Sequence, residues 1–299
     1  MPSSPGPLAR AYAACEALAR SHYENFPVAS WLLPRAMRPH IAAVYAFARI
    51  ADDIADEGEA PAAQRESQLR AWQDRLHAAI SSSTEGIPAA FGDDKGLMLV
   101  ALAHSIRTFD LPIALFDDLV SAFAQDITTS RYDSWDEVFD YCRRSANPVG
   151  RLVLRIAGYT DEALDRSSDA LCTALQLTNF WQDFGRDVRI GRLYVPRDVV
   201  VSSRAREMEL SGPYLTDSWM IAMSQCIDVT RRQFAAGRAV CDGVTGRLRF
   251  ELRFTWLGGT RILDRVEQTG PDLLYHRPAL GVRDLPSLVW RAARWTSPS

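Results

Sequence analysis

The feature that most constrains this chain is a polar stripe that occurs twice on otherwise apolar sequence. In Tyr45-Ala-Phe-Ala-Arg49-Ile-Ala-Asp52-Asp53-Ile-Ala-Asp56, the residues Tyr45, Arg49, Asp52 and Asp56 recur at i, i+4, i+7 and i+11. A helix gathers that spacing on one face. In Gln176-Leu-Thr-Asn179-Phe-Trp-Gln182-Asp183-Phe-Gly-Arg186-Asp187, a second stripe sets Asp183 and Asp187 one turn apart, extended toward the N-terminus by Asn179 and Gln176. One such acidic pair is common on a solvated helix face. Two, each on an apolar helix behind uncharged or basic polar groups, point to a site. Like charges one turn apart on a buried face repel, and desolvation adds to the cost. A divalent cation removes the difficulty, and Mg²⁺ is typically held by one or two carboxylates plus substrate phosphates.

The rest of the composition narrows the class. The chain has 299 residues, 47% hydrophobic and 24% charged, as expected of a soluble globular protein large enough for a substantial core. A net charge of −3 argues against a general nucleic-acid binder. The cysteines Cys15, Cys142, Cys172, Cys226 and Cys241 form no CxxC and read as reduced, buried thiols of a cytoplasmic protein. No HExxH marks a zinc site. No apolar run reaches the length of a membrane span, and the N-terminus lacks a signal-peptide core. The protein is expected to be soluble, or at most to sit on the inner face of the cytoplasmic membrane.

Period-two alternation is nearly absent, so strands are expected to be scarce. Helices are predicted at about 8–22, from Pro34 through the first aspartate stripe to about Gly58, and from Pro61 to about Ile80. Further helices are predicted at about 97–109 and 112–127. Ser134 reads as an N-cap with Asp136 and Glu137 in the first turn. Asn147-Pro148 breaks that helix, and Thr160-Asp161-Glu162 caps the second aspartate helix. Ala146 and Gly150 stand one turn apart, which suits close helix packing or room for a ligand. The loop Gly191-Arg192-Leu-Tyr194-Val-Pro196 is either a connector with solvated arginines or a lid over an anionic, greasy ligand. Long helices follow at about 213–241 and 245–269. The C-terminal stretch 285–295 carries Trp290, Arg291, Arg294 and Trp295. It suits a basic amphipathic helix lying on a bilayer, or a last helix packed on the core. No linker or repeat divides the chain. Residues 1–299 are expected to form a single all-α domain, with 1–7 a flexible leader.

Two facing aspartate pairs would hold several Mg²⁺ ions, and such ions seek phosphate oxygens. Neither GxxxxGK[ST] nor GxGxxG is present, so nucleotide chemistry is not indicated. Phe26, Tyr45, Phe47, Tyr141, Phe180 and Trp181 supply apolar, aromatic surroundings. Metal-bound diphosphate beside an aromatic cavity suits ionisation of an allylic or cyclopropylcarbinyl diphosphate, with the carbocation stabilised by ring faces.

Both stripes, together with Gly191-Arg192-Leu-Tyr194-Val-Pro196, resemble the squalene/phytoene synthase family. The resemblance implies the isoprenoid synthase fold, with two aspartate-rich helices facing each other over a central cavity. Within the family, His22-Tyr-Glu-Asn-Phe-Pro-Val-Ala-Ser30, Tyr141-Cys-Arg-Arg-Ser-Ala-Asn-Pro-Val-Gly150 and Asn179-Phe-Trp-Gln-Asp183 resemble the hydroxysqualene synthases of bacterial hopanoid synthesis. Phytoene synthases usually have Arg-Asp where this chain has Gln182-Asp183, and Ala-Gly-Thr-Val-Gly where it has Ala146-Asn-Pro-Val-Gly150. A basic residue of some relatives falls at Glu24.

The resemblance implies Mg²⁺-dependent conversion of presqualene diphosphate to hydroxysqualene, with no NADPH. Asp52, Asp56, Asp183 and Asp187 would bind the metals. Arg49 and Arg277 would contact the diphosphate, with Asn179 and Gln176 positioning the leaving group. Tyr45 and Tyr141 would line the reaction centre. Phe26, Ala146, Asn147, Gly150 and Gln182 complete the candidate substrate-binding set. The enzymatic alternative is a prenyltransferase condensing two farnesyl diphosphates head to head. The non-enzymatic one is a scaffold on the same fold, which has no reason to keep clustered like charges. Contact with a membrane surface for release of an apolar product is a further expectation.

Overall fold

A computed structural model describes residues 6–21, 33–56, 60–82 and 91–295. Phe26, Glu24, the rest of the 22–30 motif and most of the leader lie outside them. In chain order the helices begin with α1 (Pro7–Ser21), α2 (Arg38–Asp56), α3 (Ala62–Ser81), α4 (Asp94–Phe109) and α5 (Ile113–Asp126). Then come α6 (Trp135–Ser145), α7 (Asn147–Ile156), α8 (Glu162–Gln182), α9 (Phe184–Arg189) and α10 (Arg197–Ser202). The last are α11 (Asp217–Gly237), α12 (Val240–Gly243), α13 (Gly246–Thr269) and α14 (Leu285–Ala293). Extended pairing among the described residues amounts to one isolated parallel bridge between Arg131 and Leu193. The protein is all-α, as expected.

The chain forms two compact units, Met1–Thr128 with Pro148–Thr160, and Thr129–Asn147 with Asp161–Ser299. In the first, α2 is the central helix, touching α1, α3, α4 and α5. Ile41 to Val44, Ala46, Phe47, Ile50, Ala51 and Ala55 are all buried on it. Small alanines let neighbours approach, and the polar stripe occupies the remaining face. Phe47 stacks on Trp72 and meets Phe116 edge-on, at 5.7 and 5.6 Å between centroids. Phe47 is therefore core, not part of an open aromatic wall.

In the second unit α8 plays the central part, packing on α11 above all and also on α13, α12 and α6. Trp181 is fully buried there and donates through Nε1 to Thr230 Oγ1 at 2.8 Å; Thr230 Oγ1 in turn donates a hydrogen bond to Cys226 O. Trp181 also belongs to the core. Gly259 lies so close to α8 and α11 that a Cβ would come 2.6 Å from Leu175 and 2.8 Å from Phe234.

The capping chemistry follows the sequence. Ser134 Oγ accepts from Glu137 N, and Asp161 Oδ1 accepts from Leu164 N at 2.9 Å. Two boundaries differ. Pro34 opens a turn, with Met37 N bonded to Pro34 O, and α2 begins only at Arg38. The stretch expected as one helix over 213–241 is α11, started by its N-cap Thr216, followed by the separate short α12. All five cysteines are free, and burial raises the thiol pKa of Cys15, Cys142, Cys226 and Cys241. Among the described residues no helix is long and apolar enough to cross a membrane.

Candidate active site

The first stripe ends α2. Tyr45, Arg49 and Asp52 are half-buried, and Asp56 is exposed in the last turn. Arg49 lies between two carboxylates: Nη1 is 3.3 Å from Asp52 Oδ2 and Nη2 is 2.5 Å from Asp53 Oδ1. The repulsion expected of a buried acidic pair is thus relieved by an arginine on the same helix and by access to water. Asp53 had no assigned role, although its i, i+4 spacing from Arg49 was the signal for this pair. Burial raises the pKa of the Tyr45 phenol; Arg49 opposes the shift while Asp52 and Asp53 add to it. Tyr45 therefore stays protonated at neutral pH, able to donate a hydrogen bond beside the carboxylates.

The second stripe is not carried by one continuous helix, contrary to expectation. α8 ends at Gln182 and α9 starts at Phe184, with Asp183 between them at φ −93°, ψ 5°. The register survives the break, because Asp183 N bonds to Asn179 O and Asp187 N bonds to Asp183 O. Gln176, Asp183 and Asp187 are half-buried and Asn179 is exposed.

A segment far along the chain is fastened onto this break. Gly185 passes so close to the 3-10 turn Gly270–Leu274 that a Cβ would lie 2.0 Å from Leu274 O. Arg189 Nη1 donates to the same carbonyl at 3.0 Å, and the buried Gln182 amide donates to Pro278 O at 2.7 Å. Arg277 is thereby delivered to Asp183. Its Nε donates to Oδ1 and its Nη2 lies 3.3 Å from Oδ2, while Arg186 Nη1 stands 3.6 Å from the same Oδ1. Gln182 thus holds the backbone that carries Arg277.

An aromatic wall stands in the same unit. Tyr194 stacks on Phe180 at 3.7 Å with an interplanar angle of 7°. Tyr132 and the buried Tyr141 pack beside them, 5.8 Å apart. Tyr132 was not anticipated. The loop bearing Tyr194 is pinned, with Leu193 N bonded to Ser130 O, Arg197 N to Tyr132 O and Arg131 Nη1 to Gly191 O. Leu193 and Val195 are buried, so the loop is an anchored strap and not a solvated connector.

Ala146 caps α6 through its N–H to Cys142 O, and Gly150 is half-buried in α7. Asn147 is buried between them in sequence. In the orientation that satisfies its neighbours, its amide nitrogen donates to Cys142 O and Asp169 O and lies 3.0 Å from Thr173 Oγ1. Its side chain joins α6 to α8.

The donors in both stripes are carboxylate oxygens, the hard ligands that Mg²⁺ prefers. Among the described residues no three His, Cys, Asp or Glu side chains converge to hold a metal unaided. One or two carboxylates per ion fit Mg²⁺ that shares its shell with phosphate oxygens.

The model of the squalene/phytoene synthase family matches residues 19–284. The chain belongs to that family. The hydroxysqualene synthase of Sinorhizobium fredii is 36% identical over 258 residues, covering 83% of this chain and 81% of the relative. The phytoene synthase of Mycobacterium tuberculosis is 36% identical over 191 residues, covering 64% and 59%. Among solved structures, the squalene synthase HpnC of Alicyclobacillus acidocaldarius superposes with a TM-score of 0.80 at 37% identity, covering 90% of this chain and 98% of that one. The fold is the all-α isoprenoid synthase fold that the resemblance implied. As a squalene/phytoene synthase family member, the protein is an enzyme acting on prenyl diphosphates.

Proposed function

We propose that this enzyme converts presqualene diphosphate to hydroxysqualene in the squalene and hopanoid branch of isoprenoid synthesis. The observation that carries the choice of branch is the extended match to the S. fredii hydroxysqualene synthase. In the reaction the C–O bond to diphosphate breaks, and both electrons leave with the diphosphate. The cyclopropylcarbinyl cation rearranges, water adds its oxygen to carbon, and one proton is lost. Nothing is oxidised or reduced, so no NADPH is required.

Asp52, Asp56, Asp183 and Asp187 are the proposed ligands of the metal ions that accompany the diphosphate. Bound Mg²⁺ supplies Lewis-acid stabilisation of the leaving group. Arg49 and Arg277, each engaged with a carboxylate, are the proposed contacts of the diphosphate oxygens. Guanidinium suits that task because its fork binds phosphate in a fixed geometry. Asn179 and Gln176 continue the stripe as amides that can position the leaving group without adding charge. Tyr45 offers a neutral donor. Tyr141, with Phe180 and Tyr194, turns ring faces toward a cation, and such faces attract positive charge while excluding water. Asn147 and Gln182 act through the backbone they hold. Ala146 and Gly150 are small residues proposed to leave room for the substrate.

A second reading is favoured by the A. acidocaldarius squalene synthase. It is head-to-head condensation of two farnesyl diphosphates. Comparing kcat/KM for presqualene diphosphate and farnesyl diphosphate, each alone with Mg²⁺, separates the two. The proposal expects rapid consumption of the first and little of the second; the reverse order would overturn it.

A further inference from the structure

The C-terminal helix has three faces, of which packing uses one. Leu288 and Ala292 are buried against Leu257 of α13, with Phe250, Phe254, Trp256 and Leu280 around them. The two ends are tied down. Asp284 accepts from Arg265 at 2.6 Å. Trp295 covers Arg238 at 3.9 Å and donates to Asp242 at 3.2 Å. α14 is therefore docked, as the packed alternative foresaw, and its orientation is fixed.

The second face is apolar and in water. Val282, Leu285, Val289 and Ala293 follow at i, i+3, i+7 and i+11, with Trp290 beside them. Val282 is 82% exposed, Leu285 44%, Val289 47% and Trp290 57%. Isolated exposed apolar residues are ordinary, but a contiguous stripe on one helix marks an interaction surface.

The third face is basic. By helical register Arg294 falls beside Trp290 on the side away from Leu288 and Ala292, its guanidinium 4.0 Å over the Trp290 ring, and Arg283 stands just ahead of the helix; Arg291 lies across the helix from Val289. Asp284 is the sole acid between Val282 and Trp295, and it is engaged by Arg265. The exposed surface of α14 thus pairs an apolar stripe with uncompensated positive charge, and a Trp stands at their junction.

We propose that this surface docks on an anionic lipid bilayer, with Val282, Leu285, Val289 and Trp290 entering the headgroup boundary and the arginines meeting lipid phosphates. Apolar area supplies part of the affinity, and positive charges near an anionic surface supply the rest. Trp suits that depth because one end of its ring is apolar and the other can hydrogen-bond. Packing on α13 and lying on a membrane are compatible, because they use different faces. The inference concerns binding and stands independently of the reaction.

The test is sedimentation of the full chain with vesicles of phosphatidylcholine, or of phosphatidylcholine mixed with phosphatidylglycerol. The wild type should bind the mixed vesicles, and binding should weaken as salt rises. Arg283→Gln with Arg294→Gln should lower partitioning about fivefold per charge removed. Val289→Ser with Trp290→Ala should lower it about tenfold or more. Both double variants should keep the wild-type circular dichroism and melting temperature, because these side chains are exposed. No binding of the wild type to mixed vesicles would overturn the proposal. So would equal binding by the variants, or wild-type self-association that the variants abolish while vesicles stay unbound.

Discussion

Arg277 grips Asp183 through one guanidinium edge, Nε on Oδ1 and Nη2 3.3 Å from Oδ2, across 94 residues of chain. The pair is half-exposed, so its contribution to stability is at most about 1 kcal/mol. Its meaning is electrostatic: without ligand, Asp183 is neutralised by a residue that can also bind phosphate. Arg277→Gln should weaken binding of inorganic diphosphate with Mg²⁺ by about tenfold, the cost of a lost charged hydrogen bond. Mg²⁺ affinity of the ligand-free protein should hold or rise, since Asp183 loses a competitor. Calorimetric titration checks both. Unchanged diphosphate binding would remove Arg277 from the site.

Asp52→Asn or Asp183→Asn should each reduce activity by roughly a hundredfold or more while helicity survives. Their effects on stability should differ. Arg49 keeps Asp53 when Asp52 is neutralised, so that variant should melt near the wild type. Asp183→Asn strands Arg277 and should cost up to about 1 kcal/mol. If both stripes serve one diphosphate, the double variant should be little worse than either single one. Multiplying losses would show two independent roles.

Gly185→Ala puts a methyl group where Leu274 O lies 2.0 Å from the added carbon. The turn Gly270–Leu274 must then move, and Arg277 with it. Overpacking of this kind costs about 1–3 kcal/mol. Melting temperature and diphosphate affinity should fall together; an unchanged melting temperature would show that the turn is not held there.

Much of this was legible in the sequence, and the exceptions have physical causes. Helical periodicity and the caps at Ser134 and Asp161 are local, so residues within four positions decide them. The Arg49 pair with Asp52 and Asp53 is equally local. The break at Asp183 was not legible, because the i, i+4 hydrogen-bond register continues through it and the stripe looks unbroken. Gln182, Asn147 and Arg277 make contacts 26 to 96 residues away that no window of sequence encodes. Phe47 and Trp181 carry the same aromatic signal as Tyr141, and only packing separates core from wall. The C-terminal helix was offered as packed or membrane-facing because its composition suits both, and α14 packs by one face and exposes another.

Outside the site, the Tyr12 hydroxyl meets His40 Nδ1 at 3.0 Å, His104 Nδ1 at 2.8 Å and Ser105 Oγ at 2.9 Å, joining α1 to α2 and α4. Burial lowers both histidine pKa values below 6.5, with His104 adding to the shift at His40 and Arg107 to that at His104. The unfolded chain therefore binds more protons, and stability is complete above about pH 6.5 and falls as pH drops below it. Melting temperature should decline from pH 7 to pH 5. His104→Asn retains an acceptor for Tyr12 but cannot titrate, so its curve should be flatter. Parallel curves would exclude His104 as a source of the slope.

The central claim is that water, and not hydride, ends the reaction. The most direct measurement gives the purified enzyme presqualene diphosphate and Mg²⁺ in ¹⁸O-labelled water without NADPH, and analyses the product by mass spectrometry. The account predicts hydroxysqualene whose alcohol oxygen carries the label. An unlabelled product, or consumption of presqualene diphosphate only after NADPH is added, would contradict it.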